Sequence, residues 1–270
     1  MLNRLLALCF VAFACSGSLA QTGKEPAQPY SGQPGKDVVW VPTPFALVEK
    51  MLDMARVTPQ DYVIDLGSGD GRNVIAAAKR GARALGVEFN PDLVELSRRT
   101  AVKEGVAGKA RFVEGDMFTA DISQATVLAL FLLPDNLRRL TQKFQDLRPG
   151  TRMVLNGFPI PNWSPDETET ATGDCGNWCT SHLYIVPAKV AGTWRLPQGV
   201  LALEQHFQVV TGTLIVAGKK TPLTDLELRG DQFSFAAGGA HYTGRVNGDT
   251  IRGEVKGNSS GRWTASRVGL

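Results

Sequence analysis

The chain is expected to be an α/β protein: a doubly wound, parallel sheet over residues 38–190, followed by a small all-β antiparallel meander or barrel over residues 191–270. Three observations predict this. Between residues 38 and 190, short apolar runs alternate with segments of helical period, the order that builds a parallel sheet with helices on both faces. After about Ala191 the helical period disappears, and short alternating runs are broken by glycine-rich turns. The composition, 43% hydrophobic and 20% charged, is that of a globular chain, so wholesale disorder is excluded and 270 residues suffice for two packed cores.

Residues 1–20 read as an export signal. Arg4 supplies the positive start and residues 5–14 the apolar run. Ser18 and Ala20 are the small residues at −3 and −1 of a cleavage site before Gln21. Anchoring as a lipoprotein at Cys15 is the less favoured alternative. The expected location is therefore outside the cytoplasm, in the periplasm. Residues 21–37, rich in Gly, Pro, Ser and Gln, read as a disordered linker.

Order is expected from Val38. Thr43 and Pro44 mark a helix start, Thr43 as the cap and Pro44 in the first turn; Phe45, Val48, Met51, Leu52 and Ala55 then recur at helical spacing. Residues 62–66 form a buried strand, 73–80 a helix stopped by Gly81, and 84–89 a second strand. Asn90 and Pro91 open a helix that ends near Gly105. A third strand covers 110–114, and the continuous apolar run 126–133 suits the centre of a parallel sheet. Residues 134–147 are helical, and Pro149 and Gly150 turn the chain into a strand over 151–158. Glu167, Thr168 and Glu169 read as a solvated loop. In the last part, strands are expected over 201–210, 223–228, 232–235, 241–246, 250–255 and 262–267. Asn247-Gly248 marks a hairpin. Trp194 and Trp263 read as core aromatics.

Several function classes drop out. The net charge is only +3 and no dense basic stripe appears, which gives no case for nucleic acid binding. No apolar run reaches the roughly 18 residues of a spanning helix. Cys9 and Cys15 fall in the signal, leaving Cys175 and Cys179. A lone Cys-x3-Cys has too few ligands for a structural zinc site, and the three histidines are scattered, so no metal is expected. In an oxidising compartment the economical reading of the pair is a short-loop disulfide.

The informative segment is residues 63–72, Val-Ile-Asp-Leu-Gly-Ser-Gly-Asp-Gly-Arg. It follows a strand and opens a helix, where glycines let a ligand approach the backbone and the helix N-terminus adds partial positive charge. A dinucleotide fingerprint would need a glycine at position 72, which is Arg72. Asp65, in the strand just before the glycines, suits a cationic ligand better than a pyrophosphate.

These residues resemble the first motif of the class I methyltransferases, Asp-x-Gly-x-Gly-x-Gly, through Asp65, Gly67, Gly69 and Gly71. The resemblance implies a Rossmann-like fold and S-adenosyl-L-methionine as cofactor. It also implies Glu88, in Gly-Val-Glu-Phe-Asn, as the acid for the ribose hydroxyls. Asp116, in Glu-Gly-Asp-Met-Phe, would be the acid near the adenine amino group, with Met117 and Phe118 flanking the ring.

A narrower resemblance runs from about Val38 to Val190. Asp-Leu-Gly-Ser-Gly-Asp-Gly-Arg, Gly-Val-Glu-Phe-Asn-Pro, the upstream Val41-Pro42-Thr43-Pro44 and the downstream Phe158-Pro159-Ile160-Pro161-Asn162-Trp163 look like the protein-lysine methyltransferases of the ATP synthase c-subunit and adenine nucleotide translocase. By that likeness Thr43 lies near the methionine end of the cofactor, and Leu133, Pro134, Asn136, Phe158 and Trp163 line the acceptor pocket. A protein acceptor is implied, by in-line transfer to a nucleophile such as a lysine amine. No general base stands out; Asp135 reads as a base or as a helix cap. The alternative function is an exported S-adenosylmethionine-binding adaptor or sensor without turnover, its β region gripping a partner.

Overall fold

The structure, a computed structural model, describes residues 29–37, 39–258 and 260–268. The export signal over 1–20, its alternative anchor Cys15 and the first linker residues, 21–28, lie outside the described residues.

The first sheet is built from strands and helices in alternation. Helix α1 (Phe45–Met54) precedes β1 (Tyr62–Leu66), α2 (Arg72–Lys79), β2 (Arg83–Glu88), α3 (Pro91–Lys103) and β3 (Ala110–Glu114). Then come β4 (Val127–Leu130), α4 (Pro134–Gln145) and β5 (Arg152–Asn156). Two further strands, β6 (Glu167–Thr170) and β7 (Thr180–Ile185), complete the order β3-β2-β1-β4-β5-β7-β6. Strands β1 to β5 are mutually parallel; β7 runs antiparallel to β5, and β6 antiparallel to β7. The expected parallel sheet therefore carries an antiparallel edge hairpin. Glu167, Thr168 and Glu169 are not a loop but β6, where Glu167 pairs with Arg229 and Glu169 with Lys50.

Alternation in the strands sends neighbours to opposite faces. Val63 packs with Leu47, Met51 and Val74, whereas Ile64, the next residue, packs with Leu128, Leu137 and Phe144. Helix α3 starts as expected: the Asn90 side chain accepts from the Asp92 amide at 2.9 Å, with Pro91 at the first helical position. Helix α1 does not start as expected. Its flanking residue is Pro44, and Thr43 makes no cap; its hydroxyl instead accepts from the Asn156 amide at 3.3 Å.

The sheet order reverses direction of growth between β1 and β4. In open α/β sheets the crevice at the carboxyl ends of two such strands is where ligands bind, because the following loops diverge there. The loops leaving β1 and β4 are the glycine segment and Phe131-Leu132.

The second sheet contains β8 (Gly192–Leu196), β9 (Gly199–His206), β10 (Val209–Val216), β11 (Lys219–Pro222) and β12 (Thr224–Arg229). It continues with β13 (Gln232–Ala237), β14 (Ala240–Asn247), β15 (Thr250–Gly257) and β16 (Gly261–Arg267). Its order is β11-β10-β9-β8-β16-β15-β14-β13-β12. The two edge strands are joined through Leu223 alone, so the sheet curls until it nearly closes on itself. Its core holds Trp194, Phe233, Phe235, Tyr242 and Trp263, with Phe235 and Tyr242 stacked at 4.6 Å. The hairpin at Asn247-Gly248 forms with Asn247 opposite Thr250, leaving Gly248 (φ 55°) as the first central residue. The run 201–210, expected as one strand, breaks at Phe207 (φ 53°) into β9 and β10; β8 and β11 were not anticipated.

Candidate active site

Strand β1 delivers the chain into Gly67, Gly69 and Gly71, whose φ values of 74°, 54° and 80° are all left-handed. The two later glycines are also needed for space. A Cβ on Gly69 would land on the indole of Trp40, and one on Gly71 would lie 2.6 Å from the Phe112 ring and 2.8 Å from the Ser97 hydroxyl.

The Glu88 carboxylate, at the end of β2, is held by two backbone donors. Gly69 N–H reaches Oε2 at 2.8 Å and Asn90 N–H reaches Oε1 at 2.9 Å. The glycine loop and the acid are therefore locked to each other. Asp65 is fully enclosed. Its Oδ2 accepts from Asn73 at 3.0 Å, but its Oδ1 has no partner among the described residues. Burial pushes the Asp65 carboxyl well above the usual carboxylate range; the Asn73 hydrogen bond opposes this, and the charges of Glu88 and Asp70 add to it. Asp116, after β3, accepts from the Phe118 amide at 2.8 Å and from Lys36 Nζ at 2.7 Å. The Lys36 hydrogen bond, followed by that of Phe118, holds its carboxyl below the usual range.

A cleft of about 900 Å³, open mouth included, connects these groups. Thr43, Asp65, Gly67, Gly69, Glu88, Asp116 and Met117 line it. Residues 33–37 and 39–43 form one wall, so the end of the segment read as a linker, Gln33 to Asp37, is folded against the site. Two backbone hydrogen bonds of Trp40 shape this arm: Trp40 N–H donates to Gln33 O at 2.9 Å, and Trp40 O accepts from Gly32 N–H at 2.7 Å. Arg72 ties the arm to the glycine loop, donating to Thr43 O at 2.6 Å while pairing with Asp70. Phe89, Leu93, Phe131 and Leu132 supply apolar lining.

Other expected site residues fall elsewhere. Gly71 is a packing glycine at the start of α2, not a lining residue. Leu133 is 40% exposed and is the residue before α4, where the chain leaves the cleft; with Pro134 and Asn136 it lies outside the lining. Asn136 is buried, its Nδ2 without a partner among the described residues. Asp135 is 83% exposed and paired with Arg138 in the first turn, so it neither caps α4 nor faces the cleft. Trp163 is core: its ring stacks on Phe207 at 4.7 Å and meets Tyr184 edge-on. Phe158 does stand near the cleft, 6.4 Å from the Phe131 ring and 5.4 Å from that of Trp178. Cys175 and Cys179 are joined in a disulfide. Sequence reasoning missed Trp40, Lys36, Phe131 and Trp178. Trp40 had one signal, its place two residues before the Pro42-Thr43-Pro44 turn.

These residues fit S-adenosylmethionine. A buried carboxylate with an idle oxygen awaits a cation or a donor, a fixed second carboxylate lies beside the glycine backbone, and the apolar side chains offer a ring its faces.

Known proteins agree with this reading. The ANTKMT methyltransferase domain family matches residues 65–167. A protein-lysine N-methyltransferase of Saccharolobus islandicus (strain REY15A) is 40% identical over 153 residues, covering 55% of this chain and 94% of that protein. The ATP synthase c-subunit lysine N-methyltransferase of Homo sapiens is 39% identical over 171 residues, 63% of this chain and 69% of that one. Among solved structures, an RNA methyltransferase from Salinibacter ruber in complex with S-adenosyl-L-homocysteine superposes with a TM-score of 0.52 at 43% identity, covering 56% of this chain and 96% of that chain. Fold, cleft and likeness together define an S-adenosylmethionine-dependent methyltransferase of class I. The chain belongs to the family of the Saccharolobus protein-lysine N-methyltransferase and the ATP synthase c-subunit lysine N-methyltransferases.

Proposed function

We propose that this enzyme methylates a lysine amine of a protein outside the cytoplasm. The observation that carries the cofactor half is the pair Asp65 and Glu88, acids at or near the ends of adjacent strands and lining one cleft. Likeness to protein-lysine methyltransferases supports the acceptor half. The export reading rests on residues 1–20 and is supported by the Cys175–Cys179 disulfide, since such bonds persist in oxidising compartments.

When bound, S-adenosylmethionine supplies a methyl group on a sulfonium, an electrophile open to in-line attack. Glu88 would hold the ribose hydroxyls and Asp116 the adenine amino group, with Met117 against the ring. Asp65 would face the cationic, methionine end together with Thr43. The chain's main contribution is alignment. The acceptor amine must lose its proton before attack, and the apolar surroundings of Phe131 and Phe158 favour the neutral amine over the ammonium.

Transfer of labelled methyl from S-adenosylmethionine to an envelope-protein extract tests this, with RNA from the same cells as a second arm. Label on lysine is expected. Label on RNA alone, or cofactor binding with no transfer to either, overturns the acceptor. For Glu88→Gln, cofactor binding is expected to weaken about 10- to 100-fold, the worth of one charge-assisted hydrogen bond. Unchanged binding overturns its role.

A further inference from the structure

We infer that Trp178, carried on the disulfide-closed loop between β6 and β7, forms a wall of the acceptor site and grips the alkylamine side chain to be methylated. The inference rests on the lysine reading above and gives that site a residue outside the segment, 65–167, that the methyltransferase family matches.

Topology brings the loop to the right place. Strand β7 runs antiparallel to β5 with Ser181 opposite Asn156, so the loop before β7 lies at the carboxyl end of β5. That is the end of the sheet where the cleft opens. Gly157 N–H donates to Thr180 O at 2.8 Å, fastening the loop's exit beside the start of the 157–163 segment. The Trp178 indole lies over Gly157, where a Cβ would come within 2.9 Å of its ring, and Gly157 is left-handed at φ 71°. The absence of a side chain there makes room for the indole.

The indole then completes an aromatic corner. Its centroid is 5.1 Å from Phe131, edge to face, and 5.4 Å from Phe158. All three rings are only half-buried, and Phe131 also lines the cofactor cleft. A ring cluster serving only as core would be sealed, as Trp163 and Tyr184 are. Three partly open rings at the mouth of a methyl-donor cleft match a flexible aliphatic stem ending in an amine: the stem gains apolar contact, and the rings keep water from the neutral amine.

The disulfide positions the indole. Cys175 is buried, Trp178 N–H donates to Cys175 O at 2.9 Å, and Ala171 N–H donates to Cys179 O at 2.8 Å. The Cys175–Cys179 bond closes the turn from which Trp178 projects. An unclamped glycine-containing loop would hold the ring in many orientations and spend binding energy on ordering it.

The test separates acceptor binding from cofactor binding. Two probes share an adenosylmethionine frame with nitrogen in place of sulfur; one carries a methyl group there, the other, the armed probe, a two-carbon bridge to an amine that bears a four-carbon chain, so that this amine stands where the acceptor nitrogen would and the chain where its stem would. Calorimetry with the full chain is expected to show the armed probe binding about tenfold more tightly than the methyl probe, the scale of burying about two methylenes of the stem. Trp178→Ala is expected to abolish that gain while leaving the methyl probe's affinity unchanged, and Trp178→Phe to keep part of it. The double variant Cys175→Ser, Cys179→Ser is expected to lose most of the gain. A Trp178→Ala protein that retains the full gain overturns the inference, as does an armed probe that binds wild type no better than the methyl probe; both leave the cofactor site standing. Failure of wild type to bind the methyl probe overturns the methyltransferase site and this inference with it. Equal loss of both probes in Trp178→Ala and in Trp178→Phe assigns the ring a purely structural role and overturns it too.

Discussion

Lys36 Nζ lies 2.7 Å from Asp116 Oδ2, across 80 positions of sequence, and 4.8 Å from the centre of the Phe89 ring. The contact fastens Lys36, on the arm that lines the cleft, to the segment after β3. A half-exposed pair of this kind is worth little to global stability, so its effect should be local. In Lys36→Ala, amide hydrogen exchange at Gly32 and Trp40 is expected to quicken about two- to fivefold, with the global melting temperature nearly unchanged. Unaltered exchange would show that Trp40 on Gly69 holds the arm by itself. The Asp116 carboxyl is also expected to titrate higher, since Lys36 is the first cause of its lowering.

Asp65 links cofactor binding to pH. In the ligand-free protein burial raises its pKa, so the folded chain retains a proton that the unfolded chain gives up. Stability from this group is complete below the unfolded value and is lost as pH rises through the raised folded value. Asp65→Asn is therefore expected to stabilise the ligand-free protein at neutral pH by about 1–3 kcal/mol and to flatten its stability profile. In wild type, a cationic ligand that binds the carboxylate must release the proton. Affinity should rise with pH up to the raised pKa, and calorimetry in two buffers of different ionisation heat should register the proton.

Gly71 separates packing from binding. Gly71→Ala places a Cβ against Phe112 and the Ser97 hydroxyl in a left-handed backbone. Overpacking and backbone strain together are expected to cost about 2–4 kcal/mol, read by urea denaturation. Ligand affinity, measured where the variant is still folded, should change far less than in Glu88→Gln.

Trp163 joins the two sheets. Its ring stacks on Phe207, and the neighbouring Ser164 carbonyl accepts from Gln208 at 2.7 Å. Trp163→Ala is expected to cost about 3–5 kcal/mol. Trp163→Phe should be milder, because the indole N–H has no partner among the described residues. Acceptor affinity should be unchanged in Trp163→Phe, whereas Trp178→Phe, at the acceptor wall, should keep only part of it.

The cofactor half of the site was legible because its signals are local. Asp65, Gly67 and Gly69 are close neighbours on one strand and its turn, and Glu88 and Asp116 end or follow the next two strands of a sheet whose parallel build the alternation predicts. The acceptor half was misread for the opposite reason. Phe158 and Trp163 are five residues apart, yet the turn at Pro159-Ile160-Pro161 sends one ring to the cleft and the other into the junction with Phe207. Nothing local distinguishes those fates.

By itself the amino-acid order determined an α/β sheet with a glycine turn flanked by acids and a second sheet of hairpins, since periodicity, turn chemistry and near-neighbour spacing set both of these. Only the tertiary structure decided that Lys36 meets Asp116, that Trp40 covers Gly69, and that the antiparallel β7 carries Trp178 to Phe131. Such contacts join residues tens of positions apart. They follow from sheet order and packing across the whole fold, where one misplaced strand would move every partner.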